Sequence, residues 1–381
     1  LPNPPTLISV KSFYSWPRIT APAGIGKDHF CQHGFFQHSS AFTRAGLTPT
    51  VHPFNMRTED FDYHLPAELI AGRPPEKRDG ARMLLVDRQA GTIQHRHFTD
   101  LPSLLRPDDL VILNNVRVAR ARFYSDDGRF ELLRLQMLGN QSWHCMAKPG
   151  KRLAPGKQLI VGGCTGTVTA VQADGTRIIQ WDREPDEECH GHLPLPHYMN
   201  REDDATDSER YQTVFAARDH TTAIAAPTAG LHFTPEILAQ LRHTFITLEV
   251  GAGTFQPVKA ENLEDHVMHT ERYQVTPAAA ALIEAAPRRI AIGTTVTRVL
   301  EHAAAAHGQV TAHAGETSIF IHPPYQFQRV DALLTNFHLP KSTLFMLVCA
   351  FAGTDLMRQA YEEAIAARYR FYSYGDCMLI V

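Results

Sequence analysis

The sequence predicts a mixed α/β fold: a large α/β domain with a small β-barrel domain inserted into it. Three observations carry this expectation. Beyond residue 230, short apolar strand-like runs alternate with helical periods of roughly 10–15 residues, the pattern of a layered sheet with crossover connections. Between about 123 and 191 no helix of useful length fits; about five alternating runs recur at ~8–12-residue spacing between Gly, Asp and Pro turns, as in a small barrel or sandwich. Before that stretch, 61–121 again mixes strand and helix signals. The expected organisation is therefore an extension over 1–55, an α/β catalytic domain over 56–122 and 195–381, and an inserted β-barrel over 123–194.

Each element follows from local pattern. A helical turn is expected at 66–71, a strand at 82–87, a turn at 89–91, a helix near 101–105 and a buried strand at 108–114. Barrel strands are expected at 130–137, 143–147, 158–161, 166–171 and 177–181. A polar linker over 200–210 follows. Helices are then expected at 235–243, 277–286, 297–307, 343–351 and 355–367, and strands at 245–250, 289–292 and 331–336. Tyr369, Phe371, Tyr372 and Tyr374 alternate like a strand and are expected in the core.

Composition narrows the class. The chain has 381 residues, 44% of them hydrophobic, enough for a large core and two domains. Its six cysteines are scattered without a CxxC pair, so neither a disulfide framework nor a zinc knuckle is expected, and a reducing, cytoplasmic setting fits. The longest apolar run, 344–353, is about half of the ~20 residues that a membrane span needs. Residues 1–55 carry four basic residues and one acid and hold no period, which reads as an extension ahead of a start at Met56. Outside them acidic residues outnumber basic ones by six, so nucleic acid could be held only by a local basic patch.

In open α/β sheets ligands bind beyond the carboxyl ends of strands, which directs attention to three loops. The strand at 245–250 runs into Gly251-Ala-Gly253-Thr254-Phe-Gln256-Pro257, where two glycines allow close backbone approach. The strand at 289–292 runs into Gly293-Thr294-Thr295 and a helix, and the strand at 331–336 into His338-Leu-Pro-Lys-Ser-Thr343. Each alone is explained equally well as a capped turn. Histidines gather nearby: His232 in Ala226-Pro-Thr228-Ala-Gly-Leu-His-Phe-Thr234, and His266 and His269 three apart. Although Glu264 and Asp265 stand beside that pair, no HExxH or Cys-rich context accompanies it, so acid/base or hydrogen-bonding work is expected and no metal. The RNA-binding candidates are Lys148, Lys151 and Arg152 in the barrel and Arg201 and Arg210 in the linker.

Read together, these segments resemble the S-adenosylmethionine:tRNA ribosyltransferase-isomerase family of queuosine biosynthesis, from Met56 to Ile380. The words that carry the resemblance include Leu113-Asn-Asn-Val-Arg-Val118, Lys148-Pro-Gly-Lys-Arg-Leu153, Arg210-Tyr-Gln-Thr-Val214, the 226–234 and 251–257 segments, His266-Val-Met-His269, Thr335-Asn-Phe-His-Leu-Pro-Lys-Ser-Thr343 and Tyr369-Arg-Phe-Tyr-Ser-Tyr-Gly-Asp376. The resemblance implies a transferase and isomerase that moves the ribosyl group of S-adenosylmethionine onto 7-aminomethyl-7-deazaguanine at the tRNA wobble position, giving epoxyqueuosine, adenine and methionine. It implies tRNA and S-adenosylmethionine as substrates, a monomer, and no metal or other cofactor. His232, His266, His269 and His338 are then the acid/base candidates, with Glu249 added because the family usually has His there. Thr228, Gly251, Gly253, Thr254, Gln256, Asn115, Arg117 and Asn336 are the substrate-binding candidates. The barrel entrance is shortened to Ser125-Asp-Asp-Gly-Arg129, which removes cations the family places near RNA. Two alternatives stay open on sequence: a relative with another acceptor, and a silent RNA-binding homologue.

Overall fold

The computed structural model describes residues 56–251, 258 and 260–381. Two single 3-10 turns (Thr58–Phe61 and Ala67–Leu69) precede a hairpin of β1 (Arg82–Asp87) and β2 (Thr92–His97). Its turn is closed by the Asp87 carboxylate accepting from the Gln89 and Ala90 amides at 2.9 Å and by Gly91 at positive φ. Helix α1 (Leu101–Leu104) and the wholly buried β3 (Leu110–Asn114) follow. After β4 (Arg117–Val118), the chain lays down β5 (Arg122–Tyr124), β6 (Glu131–Gly139), β7 (Ser142–Lys148), β8 (Gln158–Val161), β9 (Cys164–Val171) and β10 (Arg177–Trp181).

These last six strands form one antiparallel sheet in the order β5-β6-β7-β10-β9-β8. The Asp126 amide donates to the Ile160 carbonyl at 2.8 Å, tying the end of β5 to β8 so that the sheet nearly closes on itself. Its interior is filled by Phe123, Leu132, Trp143, Val168, Ile179 and Trp181 from alternate strand positions.

Short helices α2 (Glu187–His190) and α3 (Ala205–Arg210) lead back to β11 (Thr221–Ala223), which pairs with β4. Next come α4 (Pro235–Leu238), β12 (His243–Leu248), β13 (Glu271–Val275), α5 (Pro277–Ala285), β14 (Arg289–Ile292) and α6 (Thr294–His307). The chain ends with β15 (His313–Thr317), β16 (Ala332–Asn336), α7 (Thr343–Ala352), α8 (Thr354–Ala366) and β17 (Cys377–Ile380). The large sheet has the order β15-β13-β12-β3-β14-β16-β17-β1-β2. At its centre β12, β3, β14 and β16 run parallel, so their carboxyl ends share one edge.

Both faces of this sheet are buried, which is why its central strands are apolar throughout. Leu84, Ile112, Ala291 and Leu333 face the layer built by α5 to α8, while Met83, Val111, Ile290 and Leu334 face Phe98, Leu101, Phe233 and Ile237. The mixed α/β class with a barrel sheet is thus as expected. Several elements differ from their sequence pattern. Helix α4 stops at Leu238 rather than 243, because the Arg242 carbonyl already accepts from Val111 and residues 243–246 pair with β3. Helix α6 begins three residues earlier than expected, immediately after Gly293, whose φ of 90° ends the strand. The 369–374 aromatics form no strand: Tyr372 sits at φ 74° and only Phe371 bridges to Ile70, although Tyr369, Phe371 and Tyr374 are buried as expected.

Candidate active site at the carboxyl ends of the parallel strands

The carboxyl ends of β12, β14 and β16 open into a partly enclosed cleft. Its walls are residues 225–229, Val250, Gly293 to Thr295, and Thr335 to His338, closed by Leu344, Tyr372 and Ser373. Two of the three loops singled out by sequence therefore meet here, together with the 226–233 segment. Of the third loop, Val250 lines the cleft and Gly251 adjoins it, while Gly253, Thr254 and Gln256 lie outside the described residues.

The Gly293 turn does more than cap a helix. Gly293 stands at the N-cap of α6 with no side-chain capping bond, and the Thr295 hydroxyl is buried without a partner. Together with the free amides of the first helical turn, it gives the cleft a wall of unused donors. By contrast Ser342 does cap α7, accepting from Phe345 N at 3.2 Å, and Lys341 turns away to pair with Glu59 and Asp62.

On the opposite wall, His338 is held at three points. Its amide donates to the Tyr361 hydroxyl at 3.1 Å, its carbonyl accepts from the Tyr63 hydroxyl, and its Nε2 lies 3.0 Å from Thr335 Oγ1. Nδ1 makes no hydrogen bond among the described residues. Asn336 donates to the Tyr372 and Ser373 carbonyls at 2.9 and 3.3 Å, leaving its buried Oδ1 without a partner of normal geometry. His232 is buried against the Phe98 ring with its Nε2 likewise orphaned, although the nearby Asn336 amide favours its protonated form.

Burial dominates both histidines. It lowers His232 to about 4 against the smaller opposing pull of Asp376, and lowers His338 to about 3. Both rings are therefore neutral at pH 7. The sign of the linkage follows: the unfolded chain binds protons near 6.5 and the folded chain does not, so stability is complete above 6.5 and is lost as pH falls toward 4 and 3. Each histidine contributes roughly 3–5 kcal/mol to that loss. Unfolding free energy measured from pH 7 to pH 4 should fall steeply in the wild type and less in His338→Gln; equal slopes would contradict the assignment.

The remaining candidates sit as follows. Thr228 lines the cleft. Asn115 is half-buried and its Oδ1 accepts from Thr247 at 2.7 Å, while Arg117 faces a separate groove. Glu249 is half-buried and its carboxylate forms no hydrogen bond or ion pair with the described residues. Neither His266, packed on Phe320, nor the exposed His269 lines the cleft, and among the described residues no group of three or more His, Cys, Asp or Glu could hold a metal ion. Lys148, Lys151 and Arg152 stand exposed at a barrel turn. Arg201 is instead clamped in a bidentate pair with buried Asp207 at 2.5 and 2.8 Å, and Arg210 donates to the Pro75 and Glu76 carbonyls.

Sequence reasoning missed a buried pair at the root of the glycine loop. Glu271, 4% exposed, accepts from Gly251 N at 3.2 Å and pairs with Arg298, 6% exposed. The signal that could have found it is the position of Arg298 one turn after Thr294, in the helix that the Gly293-Thr-Thr turn begins.

Residues 58–380 match the family model described as Queuosine biosynthesis protein, and the chain is 45% identical over 346 residues to the S-adenosylmethionine:tRNA ribosyltransferase-isomerase of Moorella thermoacetica. That alignment covers 86% of this chain and 100% of the relative. The chain belongs to the S-adenosylmethionine:tRNA ribosyltransferase-isomerase family. The enzyme of the same name from Symbiobacterium thermophilum is 47% identical over 86% of this chain and 100% of its own length. A solved S-adenosylmethionine tRNA ribosyltransferase from Thermotoga maritima is 34% identical, covering 84% of this chain and 100% of that one, with a TM-score of 0.49. The family match spans both the cleft and the barrel sheet. Among the described residues no helix is long and apolar enough to cross a membrane.

Proposed function

We infer that this chain transfers and isomerises the ribosyl group of S-adenosylmethionine onto 7-aminomethyl-7-deazaguanine at the wobble position of tRNA, releasing adenine and methionine. Family membership over residues 58–380 is the observation that carries this reading. It acts as a cytoplasmic monomer on this reading.

The chemistry suits the cleft. The sulfonium acidifies the adjacent ribose carbon, and a base must take the proton that leaves it. His338 supplies a neutral ring with Nδ1 uncommitted and Thr335 fixing the other nitrogen. Once protonated, an imidazolium in so dry a site is a strong acid, so the same proton is readily passed to adenine as it departs with the electrons of its glycosidic bond. The aminomethyl nitrogen supplies the electron pair of the new carbon–nitrogen bond and gives up a proton to solvent, and methionine leaves with the electron pair of the broken carbon–sulfur bond. Asn336 Oδ1, the Thr295 hydroxyl and Thr228 offer hydrogen bonds to the nucleoside, and the unpaired Glu249 offers a carboxylate for the sulfonium charge. Lys148, Lys151 and Arg152 offer the barrel's cations to the tRNA backbone.

Incubating the protein with S-adenosylmethionine and tRNA that carries the aminomethyl deazaguanine should yield adenine together with a modified nucleoside. Adenine without modified tRNA would redirect the reading to another acceptor. Neither product would overturn it.

A further inference from the structure

We propose that the groove bordered by Arg78, Arg117 and Thr213 is a phosphodiester subsite, seating the RNA backbone beside the nucleotide that enters the cleft. The proposal rests on the tRNA-modifying reading above and adds a place for the phosphate. Arg117, half-buried on β4, lines this groove and forms no hydrogen bond or ion pair with the described residues. A guanidinium with all its donors unused fits an oxyanion, which it can grip through two parallel bonds.

The neighbours strengthen that character. Arg78 is fixed by donating to the Gln212, Leu231 and Glu209 carbonyls at 2.9, 3.1 and 3.0 Å, neutral acceptors that leave its charge unpaired. Its pKa is nonetheless lowered by burial and by Arg210, two effects that an incoming anion would offset. Thr213 is 6% exposed, lines the groove and has a buried hydroxyl with no partner. Of the other lining groups, the Gln212 amide is committed to the Val118 backbone, and Glu209 is the single carboxylate.

The groove's position makes the ligand specific. The turn Thr228–His232 packs behind its lining, since a Cβ on Gly230 would meet Thr213 at 3.0 Å and Phe215 at 2.9 Å, and Arg78 grips the Leu231 carbonyl. The same turn presents Thr228 and Ala229 to the cleft. One five-residue turn thus packs on two groove residues and also lines the candidate active site. A nucleotide that inserts its base on one side leaves its phosphate on the other.

The test is tRNA binding measured against salt for the full-length wild type, Arg117→Ala, Arg117→Lys and Thr213→Val, alongside KM for S-adenosylmethionine. Arg117→Ala should weaken tRNA binding about tenfold and lower the salt slope by about one. Arg117→Lys should restore the slope, and Thr213→Val should weaken binding without changing it. Unchanged tRNA affinity and slope in Arg117→Ala would overturn the proposal. So would a raised KM for S-adenosylmethionine with tRNA binding intact, which would place Arg117 in the nucleoside site. If the wild type binds tRNA with the predicted Arg117 dependence but releases no adenine, the functional reading fails and the groove stands.

Discussion

Replacing His338 by Gln is expected to lower kcat for adenine release by roughly 10²–10⁴-fold, with KM for S-adenosylmethionine changing little. Glutamine can keep a hydrogen bond to Thr335 but cannot accept a proton from carbon. The backbone clamp by Tyr361 and Tyr63 does not involve the imidazole, so the loop should hold its place. His232→Asn makes the informative comparison. That ring lies behind Asn336 and outside the cleft lining, so its loss should act through the placement of Asn336 and cost less than the His338 change. Single-turnover measurements with saturating tRNA read both effects. Wild-type kcat in His338→Gln would remove this residue from the proton transfer.

The second large effect falls on stability. Glu271→Ala should reduce the free energy of unfolding by about 3–5 kcal/mol, because it leaves the Arg298 guanidinium buried without its counter-charge. The native pair is already incompletely satisfied: Arg298 Nη2 has no partner, and Nε reaches only the Ile319 carbonyl at 3.3 Å. Removing both charges should therefore recover much of the loss, and Glu271→Ala with Arg298→Met should be more stable than Glu271→Ala alone. The double variant still lacks the carboxylate that accepts from Gly251 N, so its KM for S-adenosylmethionine should stay raised although its stability returns. Chemical denaturation and initial rates separate the two. A loss below about 1 kcal/mol in Glu271→Ala would show that the pair carries little of the fold's stability.

How far the sequence reached depended on where each residue's partners lie. Strands such as Arg82–Asp87, Gln158–Val161, Arg177–Trp181 and Arg289–Ile292 were legible to the residue, since each is apolar by alternation or throughout and is bounded by turn residues. The missed strands lack that signature. Thr92–His97 is an edge strand with almost every residue exposed, Glu271–Val275 and His313–Thr317 carry polar residues toward the sheet margin, and Cys377–Ile380 is four apolar residues long. Within the site, Asn336 and His338 were legible because polar residues end or closely follow a buried strand, and Thr228 because it belongs to a word shared with a family. Glu271 and Arg298 were not, because their meaning comes from a contact between residues 27 apart. Arg201 shows the opposite case: it has the composition of an RNA contact, but only the fold reveals the Asp207 carboxylate that clamps it.

The central claim is that S-adenosylmethionine reacts where the parallel strands end. Amide hydrogen exchange with and without S-adenosylmethionine tests it most directly. Slowed exchange confined to residues around 225–229, 250–251, 293–295 and 335–338, with the barrel strands unchanged, is the predicted result. Protection that bypasses these four segments and falls on the barrel would contradict it.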